Sequence, residues 1–168
     1  LEYVRNDEMR WDSEHELVKR GHTCDTWDFE IRETSEFVGK RFVVATCDQS
    51  GYVLAFRAMA DMYRNIGEIF AADRWTVEAD QYCQRANELL WDGEKYLHHV
   101  HLTPLDHPGF DESDQLAMGN TWAITRGLAD SERARSIIEE YRRRHAETGD
   151  AHPCWSLQPG YPDHLDYY

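Results

Sequence analysis

Apolar residues recur every three or four positions through "DQSGYVLAFRAMADMYRNIGE". Val53, Phe56, Ala60, Tyr63 and Ile66 form a stripe there that Leu54, Met59 and Met62 widen. That period predicts an amphipathic helix over 48–68 with a broad buried face. Asp48 or Ser50 is placed to cap its start, and Gly67 to help end it. A second helix is expected from Asp73 to about residue 91, with Trp75, Ala79, Tyr82, Cys83, Ala86, Leu89 and Leu90 on one side. Asp92-Gly93 then breaks the pattern, and "KYLHHVHL" runs into a short extended stretch. After a loop containing Pro104 and Pro108, a largely apolar helix is expected over 114–128. An amphipathic one follows over 130–147, capped by Asp130 or Ser131. Sparse apolar positions in residues 1–20 (Leu1, Val4, Trp11, Leu17, Val18) suggest a partly exposed helix ending near Gly21. The stretch "FVGKRFVVAT" reads as loop with β-branched residues, and the tail from Gly149 as irregular.

The order is helix pair, short extended connection, helix pair, each pair with one apolar and one more polar member. Stacked helical hairpins have this pattern when apolar helices line an inner ring and amphipathic ones pack outside. The helices of 48–68 and 114–128 are therefore expected to be the more buried. The fold class is all-α, and residues 1–168 read as a single unit.

Composition narrows the function. The net charge is −14, which argues against a nucleic-acid partner because phosphate backbones select a basic face. The long apolar run of a membrane span is absent, and no charged-then-apolar leader precedes the first elements. Four cysteines, widely spaced with no CxxC pair, read as free, mostly buried thiols rather than a disulfide framework. Cytoplasm is the default location. The chain begins with Leu1 rather than Met and stops at "HLDYY", so it is read as a piece of a longer protein.

Three segments resemble the six-hairpin, or (α/α)6-barrel, glycosidases, nearest to glycoside hydrolase family 63 and the trehalases. "TWDF" at 26–29 resembles the "GWD" motif that presents the general acid, with Thr26 in place of Gly. "YVLAFRAMADMYRNIGE" with "CQRANELLWDGEKYLHH" resembles a hairpin and its "LWD...Y" turn. "DESDQLAMGNTWAITRGLAD" resembles the next inner helix. The resemblance implies part of an (α/α)6 toroid. Twelve helices of ordinary length with their loops need roughly 300 residues, so about five helices make under half a barrel. It also implies hydrolysis of an α-glucosidic or related bond by acid/base catalysis, with inversion.

Such chemistry needs one carboxylic acid to protonate the leaving oxygen and one carboxylate to activate water. Asp28, flanked by Trp27 and Phe29, is the first candidate for the acid, because partial desolvation favours its protonated form. Asp25 is the alternative, and either could instead cap a turn. Trp27 could stack on a sugar or simply pack. Glu112, in "FDESDQ", is a third acid, set against a capping reading for Asp111 or Ser113; the base is expected beyond Tyr168. Gln115, Trp155, Gln158 and Tyr161 are candidate saccharide contacts, although Pro-Gly-Tyr-Pro is also good turn chemistry. His99 and His101 share a face of an extended stretch, His98 does not, and no third ligand is evident, so neither metal nor cofactor is expected. Two rival readings are a sugar epimerase or isomerase on the same barrel, which would use histidine pairs, and a non-catalytic helical binding module. The partner is a small saccharide or glycoside, and a partial barrel is expected to self-associate through exposed apolar edges.

Overall fold

A computed structural model describes residues 2–8, 10–20, 42–103, 109–149 and 157–162. In chain order these form α1 (Glu2–Arg5), β1 (Trp11–Asp12), β2 (Leu17–Val18), β3 (Val43–Ala45), α2 (Thr46–Asn65) and α3 (Ile69–Leu90). There follow β4 (His99–His101), a 3-10 turn (Glu112–Asp114), β5 (Leu116–Ala117), α4 (Gly119–Thr125), α5 (Ser131–Thr148) and β6 (Leu157–Gln158). The described chain is mainly helical, with three antiparallel strand pairs, β1–β2, β3–β4 and β5–β6. No helix among the described residues is long and apolar enough to cross a membrane.

The core forms where the periodicity directs it. Val53 and Phe56 of α2 meet Ala79, Tyr82, Ala86 and Leu90 of α3 across the turn at 66–68, and Ala60 of α2 is also buried. Gly67 makes that turn at φ 84°, a backbone region that side chains disfavour. Helix α4 packs on the other flank of α2, and α5 packs on α4. The α4–α2 approach is close: a Cβ on Gly119 would lie 3.5 Å from the Cys47 nitrogen. The first turns of α2 and α4 therefore meet.

Buried polar groups fix the strands to this helical core. Tyr82 Oη accepts from the Val18 backbone at 3.1 Å and donates to Gln49 Oε1, while Gln49 Nε2 donates to Val18 O at 2.9 Å. The Asn120 side chain accepts from Tyr96 N at 2.8 Å and donates to Tyr96 O at 2.9 Å, replacing a strand partner with an amide. All four of these side chains are fully buried.

Several boundaries depart from the sequence expectation. The predicted helix over residues 1–20 is one turn, α1, followed by a tight β1–β2 ribbon. Asp12 Oδ2 accepts from His15 N at 2.9 Å and Glu16 adopts φ 52°, which returns Leu17 and Val18 to the core. Helix α2 begins at Thr46, without a side-chain cap from Asp48 or Ser50. Its start is held by Thr46 N to His98 O at 3.1 Å and Thr46 Oγ1 to Leu97 O at 2.5 Å. Asp48 instead pairs with Arg20 at 3.0 Å. Helix α3 begins four residues before Asp73. The helix expected over 114–128 is confined to α4, because Leu116 and Ala117 pair with Gln158 and Leu157. Asp130 caps α5 as expected, accepting from the backbones of Glu132 and Arg133. Cys47 and Cys83 are half-buried, and the Cys83 thiol donates to Leu128 O at 3.5 Å.

Candidate functional site

Pairing of β3 with β4 aims two histidines at one place. Val44 opposes Val100, and both pack against the core, so alternation turns His99 and His101 to the opposite face. His98 precedes the strand at a bend, and its ring nevertheless meets His99 edge-on at a centroid distance of 4.9 Å.

The 3-10 turn brings a carboxylate to this pair. Asp111 caps it by accepting from Ser113 N at 2.9 Å, as the capping reading expected. Two buried cations then clamp the same turn from outside. Lys95 Nζ donates to Ser113 O at 2.5 Å and Arg144 Nη2 to Asp114 O at 2.5 Å. Lys95 is itself fixed by Asp92, whose carboxylate accepts from Glu94 N, Lys95 N and Lys95 Nζ. The "LWDGEKY" turn thus positions Glu112. The tail closes from the other side. Gln115 Nε2 donates to Pro159 O at 3.1 Å, and Arg144 Nη1 donates to Gln158 O at 2.7 Å and its Oε1 at 2.9 Å. Tyr161, whose ring lies 5.2 Å from that of Phe110, donates its hydroxyl to Glu112 Oε1.

The result is a continuous imidazole–carboxylate chain. His98 Nδ1 lies 2.7 Å from His99 Nδ1, His99 Nε2 lies 2.9 Å from His101 Nε2, and His101 Nε2 lies 2.8 Å from Glu112 Oε2. Glu112 Oε1 is 3.5 Å from His99 Nε2. One ligand atom from each of His99, His101 and Glu112 falls within 4.8 Å of the others. Burial lowers the His99 pKa to about 3, and the neighbouring imidazoles add to the shift against the opposing pull of Glu112. His99 is therefore neutral at physiological pH, and one of its ring nitrogens carries a lone pair. Burial alone would raise the Glu112 carboxyl. Hydrogen bonds from His101, His99 and Tyr161 outweigh it and hold the group below the usual carboxylate range. A carboxyl shifted in that direction favours its ionised form. It is well suited to holding a cation.

The residues singled out in the sequence divide into three sets. Asp25, Trp27, Asp28 and Trp155 lie outside the described residues. Glu112 and Tyr161 meet directly. Gln115 and Gln158 come to the same corner, but their polar groups bind the tail backbone and Arg144 rather than open space. A cavity of about 790 Å³ lies along the segments that carry Glu112 and Tyr161, lined by Phe110, Asp111, Asp114, Pro159 and Pro162. Sequence reasoning missed the third group beside His99 and His101: it is Glu112, eleven residues further on. The alternation in "HHVH" signalled the pair; the arrival of Glu112 depends on clamps by Lys95 and Arg144, which no spacing rule reads. Comparison with protein-family models, with curated protein sequences and with solved structures finds no match.

Proposed function

We propose that this chain is part of a six-hairpin glycoside hydrolase that cleaves an α-glucosidic or related bond with inversion, with Asp28 as the proton donor. The observation that carries the reading is the meeting of the first turns of α2 and α4 at Gly119 and Cys47. The strands that lead into these helices, β3 and β5, bring the histidine-bearing β4 and the tail strand β6 to that end. In a hairpin toroid the inner-helix N-termini face the substrate cavity. Glu112 is engaged by His101 and Tyr161, which favours Asp28, with Asp25 as the alternative, for the acid; the base is expected in another hairpin. The test is Asp28→Asn in the full-length protein. The fold is expected to persist and hydrolysis to fall by about 100-fold or more, since the amide fills the same space without an acidic proton. Undiminished cleavage of a substrate with a poor leaving group would move the role to Asp25.

The histidine chain favours one second reading, a sugar epimerase or isomerase on the same architecture. There, His101→Gln would abolish turnover while Asp28→Asn would not. Failure of the full-length protein to bind any saccharide would leave the non-catalytic binding module.

A further inference from the structure

We infer that His99, His101 and Glu112 form a binding site for one divalent transition-metal ion of the zinc type, with His98 and Tyr161 as positioning residues. The inference does not rest on the glycosidase reading. Two imidazole nitrogens and one carboxylate oxygen suit zinc and its neighbours, whereas calcium and magnesium prefer all-oxygen cages.

Proton accounting supports it. Two ring nitrogens at 2.9 Å with a carboxylate oxygen at 2.8 Å from one of them require protons or a cation between the lone pairs. His101 Nε2–H can point at Glu112 or at His99, and one proton serves both only poorly. A cation at the convergence satisfies all three atoms with one tautomer at each ring. In that arrangement His99 Nδ1–H donates to His98 Nδ1, at 2.7 Å, and the His99 Nε2 lone pair faces the ion. An outer group fixing a ligand's tautomer is a recurrent feature of metal sites. Tyr161 does the equivalent for Glu112, binding Oε1 while Oε2 stays on the His101 side.

Accessibility suits an open rather than a closed centre. The His99 side chain is 1% exposed, but those of His101 and Glu112 are 16% and 17% exposed. Three protein ligands, two of them partly exposed, match the ligand count of catalytic rather than structural zinc.

The experiment is metal titration of this chain after chelator treatment, with Co2+ as the spectroscopic probe and Zn2+ as competitor. One Co2+ per chain is expected, with visible d–d bands that Zn2+ abolishes. His99→Gln, His101→Gln and Glu112→Gln should each weaken Zn2+ binding by more than about 100-fold, and His98→Ala by about 10- to 100-fold with a changed Co2+ spectrum. His98→Gln, which keeps an acceptor, should recover most of that loss. His145→Gln, on the exposed side of α5, should bind as the parent does. Circular dichroism of the isosteric Glu112→Gln separates lost ligation from lost fold. Absence of Co2+ binding at about 100 µM, or binding that the three substitutions leave intact, would overturn the site and leave a proton-linked relay in its place. Because the readout is ion binding rather than saccharide turnover, this result and that of Asp28→Asn fail independently.

Discussion

Asp92 is fully occupied: its carboxylate takes the Glu94 and Lys95 backbones and the Lys95 ammonium in a single turn. Partial burial pushes its pKa up, and the bonds from Lys95 and Glu94 more than reverse that, leaving it below the ordinary carboxylate value. A depressed folded-state pKa contributes stability above the unfolded value, and that stability is lost as the pH falls through the folded value. Asp92→Asn should therefore cost about 1 kcal/mol at pH 7, with solvent screening limiting the charge contribution. The gap from the parent should close in urea melts once the Asp92 carboxyl of the parent is protonated in both the folded and the unfolded chain. A constant gap from pH 7 to pH 2 would show that turn geometry, not charge, sets the effect. The turn itself was legible in "DG", since Gly93 takes φ 114°. What Lys95 does beyond it was not, because its contact with Ser113 spans 18 residues and no local pattern encodes such a meeting. The same limit explains how the alternation paired His99 with His101 but left Glu112 among the caps.

Helices were legible where burial sets the period, and illegible where pairing competes with it. Helix α3 keeps Ala79, Tyr82, Ala86 and Leu90 on its buried face as the spacing expects. In "DQLAMGNTW" the apolar density suits a helix equally well, yet β6 takes Leu116 and Ala117 into a strand pair and α4 starts only at Gly119. That choice is held by Arg144, 8% exposed, which bridges Glu140 of its own helix, Gln158 of β6 and Asp114 of the 3-10 turn. Arg144→Ala removes a buried charge-assisted network and leaves Glu140 to Arg143 alone. A loss of about 2–4 kcal/mol is expected in chemical unfolding. Faster amide exchange at Leu116, Ala117 and Leu157 should accompany it. Loss of stability with unchanged exchange there would place the cost within α5 alone. The expected helix over residues 1–20 gives way for a related reason: the pairing of β1 with β2, turned at Asp12, takes Trp11 to Val18 into a strand ribbon.

At the scale of the molecule, apolar surface gathers at the α2–α3 turn, where Phe70 is 91% exposed and Ile66 72%, with Met62, Ile69 and Val77 nearby. A run of that kind is unusual on a free surface. Sedimentation velocity at rising concentration should show self-association, and Phe70→Ser with Ile66→Ser should suppress it while changing stability by less than about 0.5 kcal/mol. A parent chain that stays monomeric and binds no apolar dye would mean that this surface needs no cover. The corner that holds Glu112 has a different dependency, one of time. Gln115 waits 44 residues for Pro159, and Glu112 waits 49 for Tyr161. As the chain leaves the ribosome, residues 43–101 emerge before Tyr161 does. The α2–α3 hairpin and the β3–β4 pair can therefore settle while Glu112 still lacks its tyrosine. The corner around Glu112 can be complete only once Pro159 and Tyr161 have been made.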